Sequence, residues 1–212
     1  MNSKNSNVNQ ATNRSFIEEA RRAQVIEATI DILAEYGYVN TTFARIAKHI
    51  GISPSLISYH FTNKEELTVE VYRSINSARL ANISQNIGNH SSATKKLYVL
   101  LKSDLTYMGT RPKLFKALVE ALFSIRDSEG FLKLMNEGEQ SDVSLVEQIL
   151  LSGQESGEFR LFDTYAMALI IDGARDQFLA QLPNQPKYDL KLFTKTLLEL
   201  VDSYILKERN NG

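Results

Sequence analysis

Residues 41–64 read TTFARIAKHIGISPSLISYHFTNK, two short apolar-patterned segments on either side of a glycine. Phe43, Ile46, Ala47 and Ile50 recur at the three- and four-residue spacing of one helical face. Gly51 can take the left-handed conformation that ends a helix. Ser53 can cap a new helix, and Pro54 fits its first position, where no backbone donor is needed. Ile57 and Phe61 then form an i, i+4 apolar pair. Two helices joined only by Gly51-Ile52-Ser53 have the length and glycine chemistry of a helix-turn-helix, whose helices cross steeply. The second helix would bury Ile57 and Phe61 and leave Ser55, Leu56, Ser58, Tyr59 and His60 facing out. A short helix with such a face can enter a DNA major groove, about 12 Å wide.

The same period continues on both sides of this stretch. Upstream, a helix is expected from about Ser15 to Tyr36, with Ile26, Ile30 and Leu33 on its buried stripe and Gly37 as its stop. Downstream, Asn63 can cap a helix and Glu66 can return the bond, a capping-box arrangement. That fourth helix runs to about Ile87, before Gly88-Asn89. Five more helices are expected at roughly 93–109, 112–126, 129–153, 163–182 and 189–208. All four prolines (Pro54, Pro112, Pro183 and Pro186) sit where a helical pattern starts or has stopped. No run alternates as a strand would, and no hairpin signal lies between apolar runs. The reading is all-α, with about nine helices. An N-terminal three-helix helix-turn-helix domain (14–64) is joined by the fourth helix to a helical-bundle domain (65–212). The Asn/Ser-rich stretch 1–13 is expected to be a disordered arm.

Composition excludes several classes. The 212 residues hold 43% apolar and 23% charged side chains and no cysteine. Disulfide frameworks, Cys-ligated metals and a cysteine nucleophile are therefore out. The longest apolar run, Ala166–Ile171, is far too short to span a bilayer. The N-terminus has no apolar core of a secretion signal, so a cytoplasmic protein is expected. Net charge is −1, divided as +2 over residues 1–64 and −3 over the rest. That asymmetry favours a DNA-facing N-terminal end only weakly. No Gly-x-Ser-x-Gly, His-Glu-x-x-His, Walker or Gly-x-Gly-x-x-Gly motif occurs, so no enzyme is expected. His60 and His49 lie eleven apart with no cysteine nearby, so neither a metal nor a cofactor is expected.

On spacing alone, a Gly-x-Ser-Pro turn between apolar-patterned helices also occurs in helical interaction or scaffold proteins, which remain the alternative. A scaffold would be expected to show a larger apolar patch than this polar helix offers. The order Arg21-Arg22 … Ile26 … Ala34-Glu35-Tyr36-Gly37-Tyr38 … Thr41-Thr42 … Ile46-Ala47 … Gly51-Ile52-Ser53 … Ile57-Ser58-Tyr59-His60-Phe61 … Asn63-Lys64-Glu65-Glu66-Leu67 resembles the N-terminal domain of TetR-family transcriptional regulators. The resemblance implies a DNA-binding regulator, usually a repressor, with the third helix reading the operator. It places Thr42, Ser53, Tyr59, His60 and Lys64 at positions that usually touch phosphates or groove edges. Arg45, Ser55, Leu56 and Ser58 complete the candidate DNA contacts. Leu56 stands where threonine is common and Ser58 where tyrosine is common. Pro54 also lacks an N–H, so the operator sequence cannot be borrowed from a relative. Arg45 and Lys48 can equally be solvated surface charge, and Arg14, Arg21 and Arg22 either an arm that tracks the DNA or plain surface.

The C-terminal region reads as a sensor and a dimer surface. Tyr165–Ile171 is apolar all round and should be enclosed on every side. The last helix carries an apolar arc wide enough for two packing surfaces. Met167, Ile171, Phe178, Phe193, Leu197, Val201 and Tyr204 are the expected dimer residues, in a four-helix bundle on a two-fold axis. A dimer also suits DNA, since one short helix reads few base pairs and two read a palindrome. The middle helices carry Leu105, Tyr107, Met108, Phe115, Leu118, Phe123 and Met135, adaptable enough to line an effector pocket and equally what a core contains. Asp104, Glu120, Arg126, Asp172 and Arg175 are the polar candidates beside them. Asp172 and Arg175, three apart, are first of all an ion pair. The expected partners are a double-stranded operator, a second copy of the chain and a small-molecule effector; no membrane is expected.

Overall fold

A computed structural model describes residues 3–88, 90–125, 142–185 and 189–206. They form α1 (Ser3–Asn40), α2 (Phe43–Ile50), α3 (Pro54–His60), α4 (Lys64–Ile87), α5 (Ala93–Gly109), α6 (Pro112–Ile125), α7 (Asp142–Glu155), α8 (Thr164–Gln181) and α9 (Leu190–Ile205), with a 3-10 turn at Leu182–Asn184. Among the described residues the one strand-like pairing is an isolated bridge between Phe159 and Leu206. The fold is all-α, as expected. Of the expected helix 129–153, residues 129–141 lie outside the described residues, as do Arg126 and Met135. α1 begins at Ser3, inside the stretch expected to be an arm. Among the described residues no helix is long and apolar enough to cross a membrane.

The described residues divide into two compact units, 3–75 with 116–125, and 76–115 with 142–206. In the first unit Val25, Ala28 and Ile32 of α1 pack on Ile46 and Ala47 of α2, Ile57 and Phe61 around α3, and Leu67 of α4. Of the stripe expected on α1, Leu33 is fully buried, while its other two members sit at the edge of the inward face. Ile26 and Ile30 are half-buried at its edge, while Val25, Ala28, Thr29 and Ile32 point inward. A helix of 3.6 residues per turn lets either register satisfy the spacing, and the facing helices choose. At Gly37 the backbone turns out of the helix (φ 74°, ψ 169°), a conformation L side chains rarely adopt.

In the second unit α5 packs against α7, α8 and α9, and α8 packs on α9. Leu97, Leu100, Leu101, Leu105 and Met108 of α5 are buried, together with Asp104. The turn after α7 is fixed by chemistry visible in its residues. Phe159 is buried against Gly153, where a Cβ would stand 2.0 Å from the ring. Gly157 has φ 76°. The Glu158 carboxylate accepts the N–H groups of Ala93 (2.8 Å) and Thr94 (3.1 Å) and the Ser92 hydroxyl (2.7 Å), closing the N-terminus of α5. Its partial burial would raise the Glu158 carboxyl, but those donors outweigh it and hold it down to about 2.

Candidate nucleic-acid interface and a buried charge cluster

Both helix ends that frame α3 carry the caps their residues promise. Thr42 Oγ1 accepts the Arg45 N–H at 3.2 Å and opens α2. Gly51 closes α2 in the left-handed region at φ 70°. Ser53 Oγ accepts the Leu56 N–H at 3.3 Å, with Pro54 behind it. Asn63 Oδ1 accepts the Glu66 N–H at 2.8 Å, while the Glu66 carboxylate takes the Thr62 N–H at 2.7 Å. The capping box is thus present, its return bond shifted one residue upstream. Each cap is worth about 1 kcal/mol, which matters for a helix of seven residues.

The structure puts Ser53, Ser55, Ser58 and Tyr59 on the open side of α3, with Tyr59 66% exposed. Leu56 and His60 are half-buried. Several expected contacts are already engaged. Tyr59 Oη donates to Glu18 at 3.4 Å, and its ring meets His60 edge-on with centroids 5.0 Å apart. Ser58 Oγ donates to the Pro54 carbonyl at 3.3 Å, and Ser55 pairs with Ser53 at 2.9 Å. Arg45 lies over the Tyr36 ring at 4.3 Å and donates to the Asn40 carbonyl at 2.8 Å. Lys64 lies over the Tyr38 ring at 3.9 Å and donates to the Tyr38 carbonyl at 3.1 Å. Each cation keeps N–H donors beyond those the protein uses. Lys48 is exposed.

The polar candidates of the sensing region do not form one set. Glu120 belongs to the first unit, where it accepts the Tyr38 N–H at 2.9 Å. Phe123, expected to line a pocket, is 66% exposed. The amphipathic pattern of α6 carried no mark of which flank lay open. Tyr107 is half-buried under the Arg111 guanidinium at 4.2 Å, and Met108 is core. Asp104, Asp172 and Arg175 do converge. Arg175, with 7% of its side chain exposed, contacts Asp104 at 2.9 Å and Asp142, Asp172 and Asp176 at 2.8 Å each. Arg79 of α4 joins them, bonding Asp142, Asp104 at 3.3 Å and Asn76 at 3.0 Å. Helices α4, α5, α7 and α8 are therefore tied through two guanidiniums. Burial acts to raise Asp142, but Arg175 and Arg79 prevail and hold it down to about 2. Burial pushes Asp172 up to about 6 against the pull of Arg175. Arg79 and Asp142 escaped the sequence reading. Arg79 had a signal there: it takes the place of an apolar residue on the buried row Val71, Ile75, Arg79, Ile83. Asp142, 63 residues away, had none.

The expected dimer residues are also redistributed. Met167, Ile171, Phe178, Leu197 and Val201 are buried within the chain, the first two and last two beneath the groove between α8 and α9. Phe178 and Phe193 stack with centroids 3.8 Å apart. The outward residues are Tyr165, Leu169, Ile170, Leu192, Leu200 and Tyr204, each 46–62% exposed. Helix α8 is thus not enclosed on every side by its own chain. A groove of about 310 Å³ runs between Ala166, Ile170 and Ala174 on one side and Leu197, Leu200 and Tyr204 on the other.

A capped three-helix unit with an open polar third helix, followed by a larger helical unit, defines a helix-turn-helix DNA-binding regulator. Residues 25–71 match the family of bacterial regulatory proteins of the tetR type, and residues 75–203 match the C-terminal region of YsiA-like proteins. The chain belongs to the TetR family, and it is a DNA-binding transcriptional regulator rather than an enzyme. It is 25% identical to the fatty acid metabolism regulator protein of Bacillus subtilis over 86% of this chain and 94% of that protein. A solved structure of a transcriptional regulator from Saccharomonospora viridis, in complex with choline, superposes with a TM-score of 0.77. It is 19% identical and covers 90% of this chain and 100% of its own. FadR from Bacillus subtilis, in complex with stearoyl-CoA, gives a TM-score of 0.71 at 22% identity, over 84% and 96% of the two chains.

Proposed function

We propose that this regulator is a repressor that binds a palindromic operator as a homodimer in the cytoplasm and is released by a small molecule. Residues 14–64 read the DNA through Thr42, Arg45, Ser53, Ser55, Leu56, Ser58, Tyr59, His60 and Lys64. Residues 65–212 dimerise and sense the effector. The observation that carries the reading is the outer face of α3, polar and open, between two capped ends. The dimer is supported by the row Ile170, Leu192, Leu200 and Tyr204, an apolar surface of the kind that marks an interface. For the effector, likeness to a fatty acid metabolism regulator over most of the chain, and to FadR solved with stearoyl-CoA, supports a long-chain acyl-CoA. Such a ligand releases DNA only by preferring one state, typically by about 1–3 kcal/mol.

Selection of duplexes from a random library by the full-length chain tests the core of this. A palindromic consensus is expected, bound with a salt slope that drops by about one in Lys64→Ala. Failure to enrich any sequence refutes the operator, and a monomer in sedimentation refutes the dimer. Oleoyl-CoA is expected to release the selected duplex, whereas oleate and choline at the same concentration are not. Release by choline alone refutes the acyl-CoA assignment.

A further inference from the structure

We infer that Arg22 is a positioning residue for DNA reading: from α1 it fixes the last turn of α3 and acts through that helix rather than on the DNA backbone. A helix this short does not hold its own orientation. Its start is secured by Ser53 and Pro54. Its end has unpaired carbonyls, as every helix end does. Phe61 N–H takes the Ile57 carbonyl at 2.9 Å, and the Phe61 ring is 1% exposed in the core. The guanidinium of Arg22 lies over that ring, 4.3 Å from its centroid. Its Nη1 donates to the carbonyl of His60, the last residue of α3. One planar cation thus grips two adjacent residues, by its face on Phe61 and by its edge on His60. A cation at a helix C-terminus is also favoured by the helix dipole.

The geometry sets the azimuth of α3. Tyr59 precedes the gripped pair directly, and Ser55 lies one turn earlier on the open side. A rotation of α3 about its Phe61 anchor moves both relative to the bases, and recognition tolerates only about 10–20° of such error. Lysine cannot replace the grip, because an ammonium is a point charge without a face and an edge.

The test uses full-length protein, the duplex selected by the wild type and a scrambled duplex of equal length, read by fluorescence anisotropy over a salt series. Arg22→Ala is expected to bind the selected duplex at least ten-fold more weakly. Its affinity for the scrambled duplex should change less than two-fold, with an unchanged salt slope. Arg22→Lys is expected to lose at least three-fold on the selected duplex only. A slope reduced by about one in Arg22→Ala, with Arg22→Lys restored to wild type, would make Arg22 a phosphate contact and overturn the inference. Wild-type affinity in Arg22→Ala overturns it as well. If circular dichroism shows Arg22→Ala unfolded, Arg22→Lys decides, and wild-type affinity there is the overturning result. Failure of the wild type to select any duplex is a different outcome and strikes the operator reading instead.

Discussion

Replacing Arg175 by methionine separates the buried charge cluster into its parts. Arg175 faces four carboxylates at 2.8–2.9 Å, and its removal leaves Arg79 bonded to two of them, Asp104 and Asp142. Asp104 is the vulnerable partner, since 1% of its side chain is exposed and its bonds to Arg79 are 3.3 Å long. Breaking a buried ion pair from one side costs about 3–5 kcal/mol, because an uncompensated charge stays behind. For a chain of this size that lowers Tm by roughly 6–20 °C. Adding Asp104→Asn removes the stranded charge, so the double variant should be more stable than the sum of the two single effects, with a coupling of about 1–3 kcal/mol. The assay is thermal unfolding at pH 7, followed by circular dichroism, for wild type, both single variants and the double. A Tm for Arg175→Met within 2 °C of wild type, a threshold set by the roughly 2–4 °C that 1 kcal/mol moves a chain this long, would refute the reasoning. Strict additivity in the double variant would refute the pairing with Asp104.

Other substitutions probe separate features. Asp172 is raised to about 6 from an ordinary 3.8, so the folded state holds its proton longer than the unfolded state does. Stability should therefore fall as pH rises from about 4 to about 6, and Asp172→Asn should flatten that part of a Tm–pH curve. Asp142 has the opposite sign, and its contribution should be lost as pH falls from about 4 to about 2, a loss that Asp142→Asn abolishes. Gly153→Ala drives a methyl into the Phe159 ring, 2.0 Å away, and should destabilise by about 1–3 kcal/mol in urea unfolding, partly relieved by Phe159→Leu. Leu200→Glu, at a position 61% exposed, should give a folded monomer in sedimentation with Tm little changed at low concentration. A dimer there would move the interface elsewhere.

The helices themselves were legible because their signals are local. Gly51, Ser53-Pro54 and Asn63-Glu66 mark starts and stops through bonds that span four residues or fewer, and α5 falls on the expected 93–109. The exposure of Ser55, Ser58 and Tyr59 on α3 followed from the burial of Ile57 and Phe61, since a short helix buries one side and leaves the other, while Leu56 and His60 fall half-buried at its edges. Tertiary structure decided what local spacing leaves degenerate. The register of the α1 stripe was set by α2 and α3, and five of the expected dimer residues are already buried within the chain. Arg22 and Lys64 carry the same charge in the sequence, yet one grips Phe61 and the other rests on Tyr38. The charge cluster brings Arg79, Asp104, Asp142 and Arg175 together from four helices. Hydrogen-bonded periodicity is written in neighbouring residues, whereas the pairing of buried charges depends on which distant helices the core places side by side.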